Sequence, residues 1–215
     1  MYFQKDTIMR MIEQLGAAYR RLMEMLDDIE AGDELDRSYR QLTGLNRASC
    51  SGLPVQALAD MLPEDQRLAV AELTVLEADR FAHRLDIDEA LALRCRALAL
   101  LCTIQNDTIA ELRAGYARKL FDSCNEALSS EAAEPLLRFL TLGSAYADAE
   151  DALFILLDDF GAPAELEKVL TAGRALYIDL LRLPDAALEK GGLPRAEALE
   201  GQSALERRAQ AVKRA

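Results

Sequence analysis

The chain has 215 residues, 51% hydrophobic and 29% charged, with Ala and Leu dominant, no Trp and few other aromatics. That composition excludes disorder, and the length is enough to bury a sizeable core without disulfide or metal staples. A formal net charge of −12 argues against nucleic-acid partners and anionic membrane surfaces, since both repel a negative protein.

Even an unbroken apolar run such as Ala97–Cys102 is far short of the ~18 residues that a membrane span needs. Gln4, Lys5, Asp6 and Arg10 interrupt any secretory core at the start. A cytoplasmic location is therefore expected. The cysteines are Cys50, Cys95, Cys102 and Cys124. Cys95 and Cys102 fall two turns apart on one predicted helix, ~10.5 Å along its axis. A disulfide needs Cα atoms within ~7 Å, so free thiols are expected.

The first predicted helix runs from about Asp6 to Ile29, ended by Gly32. Ile8, Ile12, Leu15, Tyr19, Leu22, Leu26 and Ile29 alternate spacings of four and three, a heptad seam widened by Met11, Ala18 and Met25. A second helix, capped by Asp33, carries Leu35, Tyr39 and Leu42. The segment Asn46–Pro54 reads as a loop, because Asn, Ser, Gly and Pro cluster there. Pro54 then opens a short helix and Pro63 a longer one, which reaches Leu85 with apolar residues spread too widely for one face. Ala90–Ile104 is apolar nearly all round and is expected in the middle of the fold, broken only by Arg94 and Arg96. Asn106 or Asp107 starts an amphipathic helix to about Leu128, and Ser129-Ser130 marks a turn. Helical pattern resumes from Glu131, with breaks at Gly161-Ala162-Pro163, at Pro184 and at Gly191-Gly192, and the end frays from about residue 206. The expectation is one all-α domain over residues 1–215. It is a compact stack of about ten antiparallel helices joined by short turns, with a possible subdivision near 129–130.

Two resemblances follow from these residues. Phe139, Leu142, Gly143 and Tyr146 resemble the aromatic-x-x-Leu-Gly-x-x-Tyr opening of a tetratricopeptide repeat, which implies stacked helical hairpins in the second half. QKDTIMRMIEQLG from Gln4, YADAEDALFILL from Tyr146 and LEKGGLPRAEALEGQSAL from Leu188 resemble a bacterial all-helical family catalogued only as a domain of unknown function. That resemblance covers the whole chain and implies no catalytic or binding residues.

Residue chemistry points away from common active sites. His83 is the lone histidine, and zinc or iron centres lean on several His or paired Cys. The acidic groups Asp27-Asp28, Asp148-Glu150-Asp151 and Asp158-Asp159 lack the Asp-Asp-x-x-Asp spacing of magnesium-dependent isoprenoid enzymes. The fifth positions are Ala31 and Ala162. Cys95 lies between Arg94 and Arg96, but neighbouring helical residues point ~100° apart. Cys50, in the polar segment with Ser49 and Ser51, is the more exposed thiol expected. No nucleophile elbow, phosphate loop or dinucleotide fingerprint occurs. No cofactor and no metal are expected, and catalysis is disfavoured.

The seam from Ile8 to Ile29 must pack on something, either the chain's own second helix or a second copy in a two-fold dimer. The functional expectation is a non-enzymatic helical interaction module or adaptor, with a protein partner or self-association through the first helix. The alternative is a small-molecule-binding or sensing bundle near Arg94, Arg96 or His83, with an enzyme of unrecognised chemistry as its extreme form.

Overall fold

The computed structural model describes residues 2–25 and 28–212, apart from the side chains of residues 2–5, 23 and 28. Among the described residues the chain is all-α, with twelve helices, two 3₁₀ turns and no strand. It divides into two compact units, Met1–Ile109 and Ala110–Ala215.

The first unit holds α1 (Tyr2–Glu24), α2 (Asp28–Thr43), α3 (Arg47–Gly52), α4 (Val55–Met61), α5 (Glu64–His83) and α6 (Ile87–Leu101). Helix α5 is its axis. It packs against α1, α2, α4 and α6. Nine of its twenty residues are buried, among them the consecutive Leu68, Ala69, Val70 and Ala71. Four buried residues in a row cover a whole helical turn, so no side of that turn faces water. The wide apolar spread read from the sequence has this physical meaning. The apolar segment Ala90–Ile104 is well buried but not on every side. Helix α6 buries Leu93, Ala97, Leu98, Leu100 and Leu101 but turns Ala92 and Ala99 outward. Alanine is apolar on paper and too small to demand burial.

Two corrections concern the first fifty residues. The heptad seam does not lie on one helix, because α1 stops at Glu24 and Ile29 belongs to α2. The segment Asn46–Pro54 is not a plain loop, because it contains α3. Asn46 Oδ1 accepts the Ser49 N–H at 2.7 Å, and the Arg47 N–H donates to Asp36 Oδ1 at 2.9 Å. These bonds satisfy donors that a helix start leaves orphaned. At the other end, the Arg96 guanidinium donates to the Cys50 and Leu53 carbonyls. Local propensity for a loop is overridden by side chains from distant elements.

Helix α7 (Asp107–Asp122) carries the chain into the second unit. There α8 (Ala133–Leu142), α9 (Tyr146–Asp159), α10 (Pro163–Leu180), α11 (Asp185–Lys190) and α12 (Arg195–Val212) follow. The central element is α10, against which α8, α9 and α12 pack. The turn between α8 and α9 is tight because of Gly143. A Cβ there would lie 2.6 Å from the Ala110 carbonyl oxygen and 2.7 Å from the Ala114 Cβ. Neither obstacle is a flexible side-chain end, so backbone must yield. Gly143→Ala is expected to cost about 2 kcal/mol, measured as a lower urea midpoint with an unchanged slope.

Candidate functional site

The residues of the proposed interaction seam separate into two sets. Ile8, Leu15 and Leu22 are buried, together with Met11 and Ala18. The buried stripe is therefore Ile8, Met11, Leu15, Ala18 and Leu22, facing the α2 and α5 side on which α1 packs. Ile12 is half-buried, Tyr19 is 42% exposed, and Ile29 is 77% exposed on α2. Leu26 lies outside the described residues, as does Asp27. The structure brings half of the predicted face together against the chain's own helices and leaves Tyr19 and Ile29 to solvent.

A polar layer that the sequence does not announce runs beside this stripe. Glu34 is buried between two arginines, accepting from Arg21 Nε at 2.7 Å and Arg37 Nη1 at 2.5 Å. Glu77 is buried on α5, and its Oε1 accepts from both Nε and Nη2 of Arg47. Tyr39 shares a hydrogen bond of 3.1 Å with Thr74, which donates in turn to the Val70 carbonyl. Burial pushes the Tyr39 phenol well above its usual range, so it stays neutral. A heptad reading cannot find Arg21–Glu34, Arg47–Glu77 or Tyr39–Thr74, whose members are 13 to 35 residues apart.

The thiol expectation is corrected. Cys50 is 1% exposed, and burial raises its pKa more than the Thr43 hydrogen bond and the Arg96 charge lower it. It is a packing residue of α3. The two arginines of α6 are likewise committed to structure: Arg96 to the α3 carbonyls and Arg94 to Asp79 at 3.1 Å. The exposed His83 bonds the Asp79 carbonyl one turn back. None of these three lines the clefts beside Ile109, Phe81 or Ala18. Native-state thiol labelling is expected to leave Cys50 unmodified until the chain unfolds, with reporter release counted against a Cys50→Ala variant.

The surface feature of greatest chemical interest is the turn between α5 and α6. The Leu85 N–H donates to the Ala82 carbonyl and the Asp86 N–H to the Phe81 carbonyl, both at 3.0 Å. This is a Schellman closure, whose pivot is normally glycine because the pivot residue takes a positive φ. Here the pivot is Leu85, at φ +63°, in a region that costs an L-residue about 1–2 kcal/mol. Its side chain is 84% exposed, and Ile87 two residues on is 58% exposed. Beside the turn, Ile29, Leu35, Phe81, Arg47, Glu77, Arg80 and Arg84 line a cleft of about 180 Å³. Arg84 stacks over the Phe81 ring at 5.9 Å, and Arg80 Nη1 donates to the Leu22 carbonyl at 2.9 Å.

In the second unit two of the acidic residues read from the sequence meet arginines. Asp151 faces Arg118 at 3.6 Å, and Asp158 pairs with Arg208 of α12. Glu150 is different. Its Oε1 accepts the Tyr177 hydroxyl at 2.5 Å, beneath Gly201 of α12, where any Cβ would collide with both groups. Burial raises the Glu150 pKa above 4.5, more than the Tyr177 hydrogen bond lowers it, and Glu197 and Asp151 add to the rise. A raised carboxyl pKa favours the folded state below the unfolded value, and the benefit fades as pH climbs through the folded value. Glu150→Gln is therefore expected to match or exceed the parent stability at pH 7. It should also remove the stability that the parent gains on acidification toward pH 4.5, followed by thermal melts across that window.

Fold and site together define an all-helical, two-unit protein with paired interior charges and an exposed apolar turn. Residues 2–210 match a family of unknown function, DUF6483, and the chain belongs to that family. No curated protein and no solved structure matches it. Among the described residues, no helix is long and apolar enough to cross a membrane.

Proposed function

We propose that the protein is a non-enzymatic helical interaction module that docks through the α5–α6 turn. One observation carries this reading. A leucine occupies a left-handed position that glycine would fill at lower cost, and it spends the cost on an 84% exposed side chain. Scattered exposed leucines need no explanation. A strained one beside an exposed isoleucine does, and binding another protein supplies it. The α8–α9 hairpin, with Phe139 and Tyr146 buried around Gly143, suits the same role as a tetratricopeptide-like element. The cytoplasm is the compartment in which we place the module. Its free cysteines favour a reducing setting.

The test places a photo-crosslinking residue at position 87 in living cells, with position 99 on α6 as the control. A discrete adduct from position 87 alone, lost when Leu85→Gly is added, is the expected result. No adduct at position 87 would sink the reading. Leu85→Gly itself is expected to leave stability unchanged or raise it by about 0.5–1 kcal/mol, measured by denaturant titration, so lost binding is separable from lost fold.

A second reading, small-molecule binding, rests on the groove of about 450 Å³ lined by Ile8, Pro63, Glu64, Asp65, Asn106 and Ile109. Its size and mixed lining fall within the range of ligand sites. A metabolite-sized mass increment on the native protein, abolished by Ile109→Arg, would favour it.

A further inference from the structure

We propose that a second copy of this chain packs antiparallel along α1, on a face that the fold leaves open. This contact goes beyond the α5–α6 turn and does not rely on it. Helix α1 carries two apolar stripes. One, from Ile8 to Leu22, is buried against the chain's own helices. The other is Met9, Ile12, Gly16 and Tyr19, spaced three, four and three residues apart. That spacing centres it roughly 100° round the helix from the first. Met9 is 38% exposed and Tyr19 42%, with Ile12 and Gly16 half-buried between them. Gly16 stands in the interior of the helix, where glycine is a weaker helix former than alanine. A Cβ there would meet nothing within 4 Å, so no contact inside the chain accounts for the missing side chain. Close approach of another helix does.

Charge selects both the occupant and its direction. Glu13 and Arg20 are exposed along one edge of the open stripe. Among the described residues neither is in an ion pair or has another polar partner. Glu13 lies three residues before Gly16, and Arg20 lies four after it. A two-fold axis through Gly16 therefore brings Glu13 of one copy beside Arg20 of the other, twice. The same axis sets Ile12 of each copy against Tyr19 of the other and brings the two glycines face to face. A parallel pairing would instead place each charge level with its own copy, which like-charge repulsion opposes. The rest of the surface offers less: the chain as a whole carries −12, whereas from Asp6 to Leu22 three arginines stand against two acids. Two copies can approach along α1 without the repulsion that their net charge imposes elsewhere.

The experiment is sedimentation and native mass spectrometry of the full chain, with Glu13→Arg and Arg20→Glu studied singly, mixed, and combined in one chain. Both positions are exposed, and thermal melts at dilute concentration verify that each variant keeps the parent fold. The parent is expected to dimerise with a Kd on the order of 10 µM, the weak class to which a single helix pair belongs. Each single variant sets like charges together at both contacts and is expected to dimerise about tenfold more weakly. An equimolar mixture of the two restores opposite charges at both contacts, and a heterodimer of near-parental affinity is expected. The chain that carries both substitutions is expected to regain its own dimer for the same reason. Gly16→Gln holds the helices apart and is expected to weaken the dimer about tenfold. It should not lower the melting temperature of the dilute chain, because open space surrounds that position. A parent that stays monomeric at about 200 µM, well above that Kd, would overturn the proposal. So would a dimer that the single charge variants or Gly16→Gln leave unchanged, or a mixture and a combined chain that stay as weak as the single variants.

Discussion

The first unit depends on the burial of the middle of α5, residues 68–78, which holds all nine of its buried residues. A polar side chain buried there must be answered from within the protein. Thr74 is answered by Tyr39 and by its own backbone, and Glu77 by Arg47. Those answers locate the neighbours. Tyr39 fixes α2 against α5, while Arg47 ties the start of α3 to it. Arg96 closes the end of α3 from α6, and Arg80 reaches from α5 to the last turn of α1. The arrangement of the small helices follows from satisfying one buried helix.

The second unit solves the same problem around α10, with less charge compensation. Tyr177 and Glu150 meet under α12, and among the described residues no cation is paired with them. The carboxylate is held by one hydrogen bond in a setting of other acids. Burial raises the Glu150 carboxyl above its usual range, so protonation in acid relieves it. Gly201 matters here because it brings the α12 backbone onto the pair without displacing it.

The helices were largely legible because their signals are local. Proline and glycine punctuation marked the ends of α4, α5, α10 and α11, and the apolar spread of α5 showed that it is packed on more than one side. The family assignment likewise agrees with the resemblance carried by segments from Gln4, Tyr146 and Leu188. What was not legible depends on long-range chemistry. Helix α3 has a local N-cap in Asn46, but Asp36 and Arg96 hold its two ends from elsewhere, and no window centred on residues 46–54 contains either. The break after Glu24 interrupts a flawless heptad pattern, since periodicity records which side chains are apolar and not where the backbone turns. The exposed turn left one faint trace: His-Arg-Leu-Asp stands where a helix stop would carry glycine, and a missing glycine is hard to notice.

The seam between α5 and α6 has a consequence for whatever meets that turn. Near its end the two helices meet through Ala78 and Ala90, with Leu93, Phe81 and Ala82 filling the space around them. Alanines carry no rotatable side chain, so this contact has little slack, and the last turn of α5 cannot roll against the first turn of α6. Leu85 and Ile87 are thus presented by a stiff bracket rather than a wandering loop. A partner that captures them need not freeze the backbone that holds them. The ordering entropy that weakens most small interfaces has already been spent during folding.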